Sequence, residues 1–183
     1  MKYPVVQTIF AFVIILVSLT VGSTYYYYSP FHKSVKRAVA VIYPTKGNNA
    51  SGVVTFLQQK DGLYITGSIT GITPGRHGFH IHEFGDCSCE GSVCAGDHFN
   101  PTHTSHGSPE SNNRHIGDLG NISTDAQGNV SLNFIDTHVK LNGPHSIIGR
   151  AIIIHAHEDD YLTEPTGHAG ARIGCGVIGI ARD

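Results

Sequence analysis

From residue 38 onward, apolar and polar positions alternate in short runs. The runs at residues 39–44 (VAVIYP), 52–59 (GVVTFLQQ), 63–72 (LYITGSITGI), 130–136 (VSLNFID), 150–156 (RAIIIHA) and 176–181 (GVIGIA) are rich in β-branched and aromatic residues and bounded by Gly and Asn. Such runs predict strands. Asp61-Gly62 between the second and third, and AQGN before the fourth, predict tight turns. No amphipathic helical stretch of useful length interrupts them. The expected class is all-β, a Greek-key β-sandwich or flattened barrel with two long loops.

The first 37 residues follow another pattern. Residues 3–30 are almost free of charge, with a dense apolar block over 9–21. This predicts an N-terminal hydrophobic helix outside the folded domain: residues 1–37 form a signal peptide or a transmembrane anchor plus a short linker, and 38–183 the domain. Val21 and Ser23 suit a cleavage site, while the block's length and the Tyr25–Tyr28 cluster suit membrane attachment through a single span. Lys33, Lys36 and Arg37 outnumber Lys2 before the block and would hold the domain on the cytoplasmic side. Four cysteines and sequons at Asn49, Asn121 and Asn129 oppose that. The balance favours a secretory, extracytoplasmic domain, secreted or anchored.

Length and charge add two exclusions. The 183 residues suffice for one domain with a core, and no second domain is needed. A formal charge of -2 with no basic stripe gives no reason to expect a nucleic acid partner.

Histidine changes the picture. Seven of the thirteen histidines lie between His77 and Asp118. His80 and His82 flank Ile81 in an alternating run, so both rings leave the same face of one strand. Neutral imidazoles suit copper, zinc, iron or nickel rather than calcium or magnesium. His98, His106, His115 and Asp118 lie in a Gly-, Pro-, Asn- and Ser-rich segment with little apolar anchorage. Three imidazoles and a carboxylate make a closed shell for a structural zinc, which would supply the folding energy such a loop lacks.

These residues sit in longer motifs: GFHIHEFGD (78–86), HFNP (98–101), HGSP (106–109), RHIGDLGN (114–121), IIGR (147–150) and GHAGARIGCGVIGIA (167–181). Over residues 39–181 their order and spacing resemble the copper/zinc superoxide dismutases. The resemblance implies a Greek-key barrel with long metal-binding and electrostatic loops, and dismutation of superoxide to oxygen and hydrogen peroxide. It implies copper on His80, His82, His98 and His155 and zinc on His98, His106, His115 and Asp118, with His98 shared between the ions and also a proton carrier. Arg172 matches the arginine that draws the anion toward copper. Asp159 matches the carboxylate linking His80 to His106, and His77 matches a structural histidine bonded to backbone. Phe84, Gly85, Ile148 and Ile178 resemble dimer-contact positions, which implies a homodimer.

The chain departs from the family pattern in its cysteines and in one loop. The family's disulfide joins a cysteine of the loop after the first copper motif to the one matched here by Cys175. With one residue inserted between Gly85 and His98, Ser92 occupies the loop position. Among Cys87, Cys89 and Cys94, the nearest candidate is Cys94, so the resemblance implies Cys94–Cys175, with Cys89 as rival. The segment between His155 and Arg172 is shorter than in familiar eukaryotic members and carries Glu158, Asp159, Asp160 and Glu164 but no lysine. Weaker electrostatic steering is the expectation. The competing functional class is a non-catalytic metal-binding or copper-chaperone-like relative, for which the Cys87-x-Cys89 pair is the sequence signal.

Overall fold

The computed structural model describes residues 34–182. The expected N-terminal helix, cleavage site and membrane span fall outside them. No helix among the described residues is long and apolar enough to cross a membrane.

Eight antiparallel strands make up the domain: β1 Arg37–Pro44, β2 Ser51–Gln58, β3 Leu63–Thr70, β4 Arg76–His82, β5 Asp118–Ser123, β6 Val130–Asp136, β7 Ala151–His155 and β8 Arg172–Ile180. Their ladder order is β5-β4-β7-β8-β1-β2-β3-β6, a nearly closed Greek-key barrel with no ladder between β5 and β6. The expected strands all form, with ends shifted by a few residues. β5 (DLGNIS) escaped the sequence pattern because Gly120 and Asn121 break the β-branched run, while its pairing with β4 from Arg76↔Ser123 to His80↔Asp118 supplies the strand. The Asp61-Gly62 turn joins β2 to β3, closed by Gln59 N–H donating to the Gly62 carbonyl at 2.9 Å.

Alternation along the strands sends one set of side chains into the barrel. Phe56, Leu63, Ile65, Phe79, Ile81, Ile152 and Ile154 are fully buried there. Truncating any of them to alanine would cost on the order of 2–5 kcal/mol, so the barrel is a rigid frame for what it carries outside.

The outer face of β4, β7 and β8 is the functional one. Every residue of β7 is buried, as is every residue of β4 after Arg76, which means both faces of this part of the sheet are covered. The register places His80 opposite Ile153, His82 opposite Ala151 and Ile153 opposite Cys175. The covering layer is the loop between β4 and β5, in which Ala95 packs with Ala151, Ile153 and Cys175.

That packing decides the disulfides and overturns the Cys94–Cys175 expectation. Cys175 bonds Cys87, at a Cα separation of 5.9 Å, and Cys94 bonds Cys89 at 5.6 Å. Both separations suit a disulfide. The physical reason is placement: Cys87 is packed against the cluster that contains Cys175, whereas Cys94 lies across a short 3-10 turn, Glu90–Ala95, that folds it back on Cys89.

Candidate metal centre

Strand alternation brings His80 and His82 to one face of β4, and His155 enters from the end of β7. His98 comes from the loop, pinned by an isolated bridge to His82. Ligand atoms of these four residues lie within 4.8 Å of one another, and so do those of His98, His106, His115 and Asp118; all seven residues are buried. His98 belongs to both groups, its ring centroid 4.1 Å from that of His80 and 5.5 Å from that of His115.

Hydrogen-bond partners fix which nitrogens are lone pairs, since a carbonyl can only accept. His82 donates Nδ1–H to the Gly96 carbonyl at 2.9 Å, and His155 donates Nδ1–H to the Gly170 carbonyl at 3.2 Å. Their Nε2 atoms then meet as two lone pairs at 3.3 Å. His80 donates Nε2–H to Asp159 Oδ2 at 2.8 Å, leaving Nδ1 buried without a partner, and His98 Nε2 is equally unpartnered. Four converging lone pairs in a buried site repel unless a cation lies among them.

The second group has the same logic. Nδ1 atoms of His98, His106 and His115 approach the Asp118 carboxylate at 2.7, 3.1 and 3.2 Å. His106 has committed Nε2–H to Asp159 Oδ1 at 2.9 Å, so its Nδ1 faces Asp118 as a lone pair unless the ring is an imidazolium. A divalent cation satisfies all four donors, and three nitrogens with one carboxylate is a zinc set. Four imidazoles suit copper.

A match over residues 50–178 carries the description copper/zinc superoxide dismutase. The extracellular Cu-Zn superoxide dismutase of Haemonchus contortus is 43% identical over 177 residues, covering 91% of this chain and 96% of that protein. The chain belongs to the copper/zinc superoxide dismutase family. A solved structure, that of the clock protein EA4, shares the fold with a TM-score of 0.77 and 43% identity, covering 84% of this chain and 99% of that one.

Within this superoxide dismutase fold, burial keeps the four histidines of the first group in ligand form. Burial pushes His80, His82 and His155 down, well down in the latter two, and burial together with His80 pushes His98 to about 3. His106 goes the other way: burial lowers it, but the hydrogen bonds to Asp118 and Asp159 outweigh burial and raise it to about 10. Asp118 lies far below the usual carboxylate range, because hydrogen bonds from His106, His115 and His98 outweigh the opposing effect of burial.

Asp159 ties the two groups together through His80 and His106, while its neighbour Asp160 is exposed and caps the Leu162 and Thr163 amides. His77 is bonded to backbone carbonyls of His155 and Thr73, each at 2.9 Å. Arg172 opens β8 beside His155, and its guanidinium donates to the Ser92 carbonyl at 2.7 Å and to the Gly96 carbonyl at 2.6 Å. Gly96 therefore accepts from both Arg172 and His82.

Sequence reasoning missed several supports. Asn121, read only as a sequon, clamps the Asp159 backbone, donating to its carbonyl at 2.9 Å and accepting from its N–H at 2.8 Å. Arg114 is buried and holds the Asp118 carbonyl at 2.6 Å and the Asp136 carboxylate at 2.5 Å. Gly167, at φ +65, packs so closely on Asp159 and His106 that any Cβ would overlap the carboxylate. Burial of a charge or amide within a motif was not legible in residue order. For Asn121 the available signal was its place three residues after Asp118.

Proposed function

We propose that this chain dismutes superoxide, holding copper between His80, His82, His98 and His155 and zinc between His98, His106, His115 and Asp118. The observation that carries the reading is the two-sided placement of His98, Nδ1 toward Asp118 and Nε2 unpartnered on the side of His80. When bound, copper supplies reversible one-electron exchange and zinc a fixed charge without redox chemistry. Two superoxides and two protons become one oxygen and one hydrogen peroxide.

The chain's own residues bind the anion and handle the proton. Arg172 keeps its charge at working pH and attracts and orients superoxide through a guanidinium aimed by two carbonyls. With a cation held at Nδ1, His98 would carry a proton at Nε2 when that nitrogen holds no metal and would hand it to the forming peroxide. Asp159 fixes the orientation and tautomer of His80 and His106. The copper-chaperone-like alternative loses its sequence signal, because all four cysteines are in disulfides.

We place the domain in an extracytoplasmic compartment, secreted or held by its N-terminal segment. Two disulfides and a relative named as extracellular support this. Protease protection on intact membranes with the domain on the cytoplasmic side would reverse it. A homodimer is the assembly we favour. Phe84 is 52% exposed, and Val41, facing Val53 across β1 and β2, lies on the exposed apolar surface with Val177 of β8. Ile178, a sequence candidate for that contact, is fully buried, leaving Val177 on the surface. Sedimentation of the purified chain tests the assembly.

Metal analysis with a superoxide assay tests the function. One copper and one zinc per chain with catalytic turnover is the expected result; full metal loading without turnover would leave a metal-binding relative.

A further inference from the structure

We propose that the Cys89–Cys94 disulfide is a positioning element for Arg172, acting through the Ser92 carbonyl that its ring encloses. The proposal rests on the role given to Arg172 above.

Two carbonyls aim the guanidinium, and they are held differently. Gly96 lies beside a short ladder, in which Glu83 N–H donates to the Asp97 carbonyl and Phe84 N–H to the Ala95 carbonyl, each at 2.9 Å. Its position follows from β4. Ser92 has no such ladder. It sits in a turn where Gly91 and Ser92 both adopt left-handed backbone, at φ 62 and φ 54. That conformation is unfavourable for a serine and persists only where its surroundings impose it.

Three contacts impose it. Ser92 N–H donates to the Cys89 carbonyl at 2.9 Å, Arg172 donates to the Ser92 carbonyl at 2.7 Å, and Cys89 is bonded to Cys94. The Lys46–Glu90 ion pair at 3.1 Å is almost fully exposed on both sides and holds little. Cys87–Cys175 anchors the loop upstream of the turn and the packing of Ala95 on Ala151, Ile153 and Cys175 anchors it downstream, which leaves Cys89–Cys94 as the covalent link across the buried Ser92. Without Cys89–Cys94 the turn is held by short local bonds, Ser92 N–H to the Cys89 carbonyl and Gly96 N–H to the Val93 carbonyl at 3.1 Å, which unwinding toward ordinary dihedrals breaks. The Ser92 carbonyl then turns away, and Arg172 keeps only Gly96.

The chemistry affected is specific. Metal donors lie on β4, β5, β7 and parts of the loop outside residues 89–94, so loosening this turn misaims the cation without removing a ligand. A bond that merely stabilised the loop would change melting temperature and leave anion binding alone.

The test uses the full copper- and zinc-loaded chain and its Cys89→Ala/Cys94→Ala variant. Three quantities are read: metal content, kcat/KM for superoxide, and the affinity for azide, a small anion followed by visible absorption. Unchanged metal content with kcat/KM and azide affinity each lowered, by up to about a hundredfold as for a catalytic contact misplaced by an ångström, is the expected result. In an Arg172→Ala background, removing both cysteines should change neither quantity further. Normal kcat/KM and azide affinity in the double-cysteine variant, beside a slow Arg172→Ala, would remove the brace alone, as would an equal further loss in the Arg172→Ala background. Unchanged turnover in Arg172→Ala itself would remove the arginine's role and the brace with it. If the double-cysteine variant fails to fold, Ser92→Pro re-aims the same carbonyl with both disulfides intact, since proline cannot adopt the positive φ. It should show the same loss, and parental kinetics in that variant would overturn the proposal.

Discussion

His82 and His155 present their Nε2 atoms to each other at 3.3 Å while each ring donates Nδ1–H to a backbone carbonyl. Two lone pairs at that distance make the site sensitive to protons once metal is stripped. His80, His82, His98 and His155 all have folded pKa values below the unfolded 6.5, so the unfolded chain binds more protons than the folded one below that pH. Stability of the metal-stripped protein therefore falls as pH drops beneath about 6.5. His106 has the opposite sign: its folded value of about 10 adds stability that is complete below 6.5 and lost as pH rises through about 10. Denaturant titrations of stripped protein should give a maximum near neutrality with the steeper limb on the acid side. A flat profile would show that these rings do not differ between the folded and unfolded chain.

Asp159→Asn should weaken both metals together. An amide offers one acceptor where His80 and His106 each donate an N–H, so one ring loses its partner. Roughly 10- to 100-fold lower affinity is expected for each ion, measured by chelator competition. Loss confined to one metal would show that the carboxylate serves one group only.

Gly167→Ala should behave as a milder Asp159 variant. The added methyl overlaps the Asp159 carboxylate and crowds His106, and the position also demands a left-handed backbone that alanine resists. A lower melting temperature and weaker zinc retention are expected; parental values for both would show that the loop relaxes around the methyl.

Arg172→Ile should lower kcat/KM at least about tenfold with copper still bound, because it removes the charge proposed to focus the anion. In the parent protein the rate should depend only shallowly on ionic strength. Glu158 is paired with Arg76 at 2.5 Å, Glu164 accepts the His106 N–H at 2.8 Å, and no lysine lies between His155 and Arg172. A steep fall of rate with added salt, in stopped-flow or pulse measurements, would contradict this.

Glycan mapping should find Asn121 unmodified when the chain passes through a secretory pathway. Both ends of its amide are engaged with the Asp159 backbone, whereas Asn49 is exposed. A glycan on Asn121 would mean that the clamp forms late or not at all.

Much of this centre was legible in residue order because strand geometry leaves little choice. Two histidines flanking a single residue on β4 must share a face, and the family resemblance, not the donor types, assigned copper to one set. Asp159 was legible only through the family resemblance. The cysteines were not legible, since sequence distance says nothing about which sulfur lies over Cys175. Ser92, at the loop position where the resemblance would put a disulfide cysteine, gives Arg172 a backbone carbonyl. β5 stayed hidden because its strand character comes from its partner β4. Gly167 and Asn121 act through close approach and backbone contact, which leave no periodic mark.

The shared ring of His98 makes occupancy a reciprocal matter. In the proposed site an ion held at Nδ1 would fix the imidazole plane and pre-arrange Nε2 for its neighbour, and thermodynamic linkage would then have the second ion strengthen the hold on the first by the same factor. Loading of the two cations should be cooperative, and a cell short of one of them would produce a protein that grips the other less well.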